Sequence, residues 1–395
     1  MLIYKGDLRN MKDLIKFELY KIFSRKIVLV LMLVCVITPI LPAISDYVDI
    51  KEKGLISYEN VKNICKEYEG QVLTYKNQEG LENNYQKIIK KYNSGEKTTD
   101  IERAITIIRN DYLIGTNRIY IKDDRIYEFN DIKKELNRLE TEGHSNSYEY
   151  KELKYVYDLL SKKETPKYYF KFGWRYATDF DMLPIFISIL ILVSICTIFS
   201  NEYQSNTASI VLSSKNGQKK LTVAKIITGL IFSTLVFLLI NGIQVILLAM
   251  HGFNSWDVPM SFLSPYVRGP YNMNIGIFYI CGLIVSFIGF MLFTLLVILI
   301  SLISKNNMLS FAASIAMLLG PEFLGKIMPT NTLVKIFTEL NIESLISPIK
   351  MFENISIYNI FGNPVLYLNV IVTIAIISIP IVLYFIRKLD KKQVV

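Results

Sequence analysis

No Gly-rich loop of the G-x-x-x-x-G-K-[ST] type occurs anywhere in the 395 residues, so the chain carries no P-loop to cradle nucleotide phosphates. Cysteine is scarce: Cys35, Cys65, Cys196 and Cys281 are the whole set, too few for a disulfide framework. Three of them fall in apolar runs, and Cys65 stands alone in the polar part. The two histidines, His144 and His251, are far apart in the chain, and no Cys/His/Asp/Glu spacing suggests a metal site. The sequence therefore offers no catalytic, cofactor-binding or metal-ligating residue. Charge is also missing from the central third of every long apolar run, which removes the titratable groups that ion-driven carriers keep near the bilayer midplane.

What the sequence does have is apolar length. Six segments, at 27–45, 182–200, 222–250, 273–303, 308–328 and 366–386, are uncharged or nearly so through their centres. A helix of about 20 such residues crosses a hydrocarbon core of roughly 30 Å. The expectation is an all-α integral membrane protein with six transmembrane helices, the lipid bilayer being its first partner.

Charge is distributed unevenly along this pattern. The polar insert 46–181 holds 24 basic and 25 acidic residues, whereas 1–26, 201–225, 304–307 and 387–395 together hold 16 basic and 5 acidic. Cationic excess confined to alternate connections follows the positive-inside rule. It places both termini and the 201–221 loop in the cytoplasm and the insert outside. The net charge of +9 is thus a topology signal and gives no reason to expect a nucleic-acid partner. Trp174 and Trp256, the only tryptophans, fall just beyond span ends, where amphipathic rings favour the interface.

Residues 1–26 read as an amphipathic interfacial helix, with Leu8, Met11, Ile15, Leu19, Ile22 and Phe23 on one side and lysines snorkelling on the other. A rival reading takes the basic leader, the apolar run and Ala43-x-Ser45 as a cleavable secretory signal; the long amphipathic region fits the interfacial helix better. The insert carries 16 of the 25 tyrosines and shows loose helical periodicity over 57–92, 98–113, 129–142 and 147–163. A mainly helical extracellular domain is expected, with a short strand near 118–129, where Ile119, Ile121, Ile126 and Phe129 flank an Asp123-Asp124 turn. The segment 329–365 is apolar but interrupted, and reads as short helices half-embedded in the outer leaflet. In the third span Asn241 and Gln244 share one face. Such amides usually bond to a neighbouring helix; the alternative is that they line a translocation path.

Without a nucleotide site or midplane charge, energy would have to come from a partner ATPase pushing on an internal loop. The only substantial one is 201–221, NEYQSNTASIVLSSKNGQKKL, where Thr207, Ile210, Val211 and Leu212 suit a short helix ended by Ser213 and Ser214. This loop, its run into TVAKI, and the opening FELYKIFSRKIVLVLML resemble the membrane subunits of ABC-2 (type V) transporters of Gram-positive bacteria. The resemblance covers about 1–45 and 182–395. It implies that Glu202, Thr207, Val211, Leu212, Ser213, Lys219, Lys220 and Lys225 form or flank a coupling helix that docks on the ATPase. It also implies two ATPase copies holding ATP-Mg, no cofactor on this chain, a second permease copy or related permease, and a bacterial plasma-membrane location. Gln218 stands where that family usually has Arg, a role that Lys219 could take. The large insert belongs to a subset linked to antimicrobial-peptide export or immunity and other efflux. The expected function is thus a non-enzymatic permease subunit of an exporter for an amphipathic peptide or lipophilic compound. The competing expectation is a membrane sensor or scaffold whose outer domain binds a peptide.

Overall fold

The structure, a computed structural model, describes residues 2–41, 44, 63–71, 75–95, 99, 102, 104–106, 108, 119–122, 125–163, 167–170, 172–174, 183–207, 219–250, 255–263, 266–328 and 332–392. It is mostly helical. Helix α1 (Leu2–Phe23) precedes α2 (Lys26–Ile37), and the insert supplies α3 (Tyr75–Asn93), β1 (Ile119–Lys122), β2 (Arg125–Glu128), α4 (Phe129–Thr141) and α5 (Tyr148–Ser161). The bundle continues with α6 (Leu183–Ile195), α7 (Ser200–Gln204), α8 (Lys219–Met250), α9 (Ile275–Ser304) and α10 (Asn307–Ile327). The short helices α11 (Thr332–Glu339), α12 (Ile342–Ile346) and α13 (Ile349–Glu353) follow. The hairpin β3 (Ile357–Ile360) and β4 (Asn363–Leu366) then leads straight into α14 (Tyr367–Lys392).

Among the described residues, five helical stretches are long and apolar enough to cross a membrane: Leu183–Gln204, Lys219–Met250, Ile275–Ser304, Asn307–Ile327 and Tyr367–Asp390. The first expected span differs. Its apolar helix α2 has only 12 residues, because the chain turns at Thr38-Pro39 before resuming helix at Ile40; proline contributes no N–H to an intrahelical bond.

Helix α9 is the axis of the bundle and packs against α6, α8, α10, α12 and α14. Phe290, Phe293, Val297, Ile298 and Leu302 are fully buried on it. Small residues set the closest approaches. Gly229 of α8 faces Ile298 and Thr294, and a Cβ there would lie 2.9 Å from Ile298 Cδ1. One turn on, the Ser233 and Thr294 hydroxyls share a hydrogen bond of 2.6 Å, the kind of interhelical polar contact that holds apolar helices in register.

One end of the bundle carries the insert, the other α1 and the C-terminal end of α14. At the insert end Trp174 meets Trp256 edge to face at 4.9 Å, and Trp256 lies against Gly276, leaving no room for a Cβ. Helices α4 and α5 close a small core of Ile132, Leu136, Leu153 and Val156 over Ile355, with Ile357 of β3 packed against it. Strands β1 and β2 pair antiparallel with Lys122 opposite Arg125; the turn expected at Asp123-Asp124 lies outside the described residues. The β3–β4 hairpin was not foreseen. Its two connecting residues, Phe361 and Gly362, both have positive φ, 51° and 79°, as a type I′ turn requires.

The segment expected at the outer leaflet does form short helices, but α12 penetrates further. It packs against α9 where a Cβ on Gly289 would meet the Leu345 carbonyl carbon at 2.8 Å. Ser286 Oγ also donates to the Ile346 carbonyl oxygen at 2.7 Å. Gly289 is midway along a 30-residue helix, so this re-entrant segment reaches the middle of the bundle.

Candidate functional site

Two constellations stand out, one at each end. At the terminal end, Lys225 on the second turn of α8 is fully buried. Its Nζ lies 2.6 Å from Glu202 Oε2 on α7 and 4.3 Å from the centroid of the Phe199 ring. An ammonium in such a place is tolerable only with a counter-charge, and the ring face adds a cation–π contribution. Glu202 also has Lys21 Nζ at 3.8 Å, and Lys21 reaches the buried Glu18 at 2.6 Å. Charges from α1, α7 and α8 thus form one alternating chain, acid–base–acid–base.

The backbone beneath this chain is prepared for it. Between α6 and α7 the helix breaks into turns at residues 196–199, freeing polar groups that hydrocarbon would leave unsatisfied. Ser301 Oγ of α9 accepts from the Phe199 and Ser200 N–H groups at 3.1 and 3.2 Å. Ser310 Oγ of α10 donates to the Cys196 carbonyl oxygen at 2.6 Å. Arg25 Nη1 donates to Thr197 Oγ1 at 2.5 Å, hooking the α1–α2 junction onto the same break. The break aims Glu202 at Lys225.

Of the residues the sequence singled out around the loop, Glu202 and Lys225 are therefore brought together. Thr207 and Lys219 are exposed and Lys220 is half-buried. Val211, Leu212 and Ser213 lie outside the described residues. Glu18 entered only as the acidic residue of the opening FELYKIFSRK, and Ser301 and Ser310 carried no signal beyond polarity inside apolar stretches.

The second constellation is a half-open cleft between α6, α8, α9 and the re-entrant segment, about 640 Å³ with its open mouth included. Asn241 and Gln244 both line it. Asn241 Nδ2 donates to the Phe237 carbonyl oxygen of its own helix at 2.9 Å. Leu183, Leu283 and Phe290 supply apolar wall, and Ile346, Ser347 and Pro348 of the re-entrant segment close one side. Among the described residues no group of three or more His, Cys, Asp or Glu could hold a metal ion.

The chain matches no family model, no curated protein and no solved structure.

Proposed function

We propose that this chain is the membrane-spanning subunit of an ATP-driven exporter of the ABC-2 type, powered by two copies of a separate ATPase. In this reading α2 and its continuation make a sixth crossing. Both termini face the cytoplasm of a bacterial cell, and the insert is extracellular. The exported compound is an amphipathic peptide or a lipophilic molecule, in the manner of antimicrobial-peptide export or immunity.

The observation that carries the reading is the Glu202–Lys225 pair. It sits at the two flanks of segment 205–218, joining the end of one span to the start of the next. A displacement of that loop by a docked ATPase would be delivered to α6 and α8 together, and through Lys21 and Glu18 to α1. Exposed Thr207 and Lys219 stand where a docking partner can reach them. The test is a pull-down from native membranes followed by reconstitution with the captured ATPase. Leu212→Asp, or charge reversal at Lys219 and Lys220, should uncouple hydrolysis from transport while the chain still inserts. Transport unchanged in those variants overturns the proposal.

One observation favours the sensor reading instead. Helix α5 packs on β4, which continues directly into α14, so an event in the insert would be passed to a span. A pull-down that recovers no ATPase, together with peptide binding to the insert, would select it.

A further inference from the structure

The cleft at the insert end has a chemistry that narrows what it can hold. No residue lining it carries a charge. Its walls are hydrocarbon and aromatic, interrupted by Asn241, Gln244, Ser347 and Tyr279. Gln244 and Tyr279 are more than nine-tenths buried. The Tyr279 phenol oxygen is out of contact with solvent and has no hydrogen-bond partner in the structure. A buried hydroxyl left in that state is costly, and native proteins seldom keep one without a use. The Tyr279 ring is itself held edge-on against Trp174 at 5.8 Å.

Depth adds a second constraint. Tyr279, Gly282 and Ser286 lie on the first half of α9, and Asn241 and Gln244 on the last third of α8. Both runs belong to the leaflet on the insert side. The floor is the re-entrant α12, fixed by Ser286 to the Ile346 carbonyl.

We infer that this cleft binds an uncharged amphiphile from the insert-side leaflet: one hydrocarbon chain with a hydroxyl- or ester-bearing head that accepts a hydrogen bond from Tyr279. A charged head would have to shed its hydration against walls that return no counter-charge, so anionic and cationic amphiphiles of the same chain length are rejected. The inference deepens the exporter reading, and rests on it only for the claim that the bound molecule is cargo. Binding needs neither nucleotide nor partner.

The test is quenching of tryptophan fluorescence in the purified full chain by a monoacylglycerol brominated along its acyl chain, since Trp174 contacts Tyr279. Saturable quenching displaced by unbrominated monoacylglycerol is expected. The brominated fatty acid anion, or a brominated alkyl quaternary ammonium, should bind at least tenfold more weakly. Tyr279→Phe keeps the ring against Trp174 and should weaken binding about three- to tenfold, the range for one hydrogen bond. Gly282→Leu fills the cleft from a position where an added Cβ meets only Pro348 Cγ, at 4.0 Å, and should abolish saturable quenching. Equal affinity for the charged probes, or quenching indifferent to both substitutions, overturns the inference. Loss of ATPase capture with binding intact would remove the exporter reading alone; retained capture without binding would remove this one.

Discussion

Lys225 and Glu202, 23 positions apart, meet at 2.6 Å across the roots of the internal loop. Each is the other's nearest charged partner, with Lys21 Nζ a further 3.8 Å contact of Glu202. Lys225 has no exposure at all and the Glu202 side chain only 16%, so removing one partner strands a charge in a poorly solvated site. Lys225→Met should lower stability by roughly 2–4 kcal/mol, somewhat below the usual figure for a fully buried pair because Lys21 still faces Glu202. Glu202→Gln should cost a similar amount. The Lys225→Met/Glu202→Gln double variant should recover at least half the loss. Thermal unfolding of the four proteins in one detergent measures the coupling, and strictly additive losses would mean the pair is not energetically linked.

Ser301 holds two freed N–H groups at the break between α6 and α7. Ser301→Ala leaves both without that acceptor and should cost about 1–3 kcal/mol. The break is also what aims Glu202 at Lys225. The same substitution should therefore shrink the coupling energy between those two residues, which a purely local loss at α9 would leave untouched.

The bundle was largely legible because an uncharged run of some 20 residues has few solutions in a bilayer other than a helix. Helices α6, α8, α9, α10 and α14 each fall within a few residues of an apolar segment. Strand structure near 118–129 was legible too, since Ile119, Ile121 and Ile126 flank Asp123-Asp124, and the structure resolves it into the antiparallel pair β1–β2. The β3–β4 hairpin was not. Its turn uses Phe361 at positive φ, where Asn, Asp or Gly is the usual signature. The depth of α12 depends on a glycine and a serine of α9 that look like any others in an apolar run. Glu202 and Lys225 were each singled out beside the internal connection, but their pairing was not, because contact across an intervening segment leaves no periodic trace.

Three glycines on the central helices should respond differently to alanine. At Gly289 the new methyl would press on the backbone of Leu345 and Ile346 at 2.8–2.9 Å, and backbone in a short helix cannot step aside. Displacing α12 would also lengthen the Ser286–Ile346 hydrogen bond, so a loss of about 1–3 kcal/mol is expected. At Gly229 the nearest atom is the tip of Ile298, which can change rotamer, and the cost should be under about 1 kcal/mol. Gly242 has nothing within 4 Å, and Gly242→Ala should be neutral or slightly stabilising through helix propensity. Thermal midpoints in the order Gly242→Ala, Gly229→Ala, Gly289→Ala from highest to lowest check the packing of the re-entrant segment; an inverted order would place α12 elsewhere.

Sidedness decides whether a soluble ATPase can reach the loop at all. The described part of the terminal end presents Lys12, Lys16, Lys26, Lys219 and Lys305 to the outside of the protein. The insert end presents the mixed charges of α4 and α5, where Arg138 is paired with Glu135 and Glu142. Unpaired cations are held on the cytoplasmic side under the positive-inside rule, and the proposed topology accordingly has Lys219 in the cytoplasm. A membrane-impermeant maleimide should label Gly143→Cys in intact cells and Lys219→Cys only after permeabilisation. The native cysteines should contribute little background, since Cys35, Cys65 and Cys196 are buried and Cys281 lies within an apolar span. Labelling of Lys219→Cys in intact cells would turn the Glu202–Lys225 pair toward the exterior, where no ATP-driven partner could act on it.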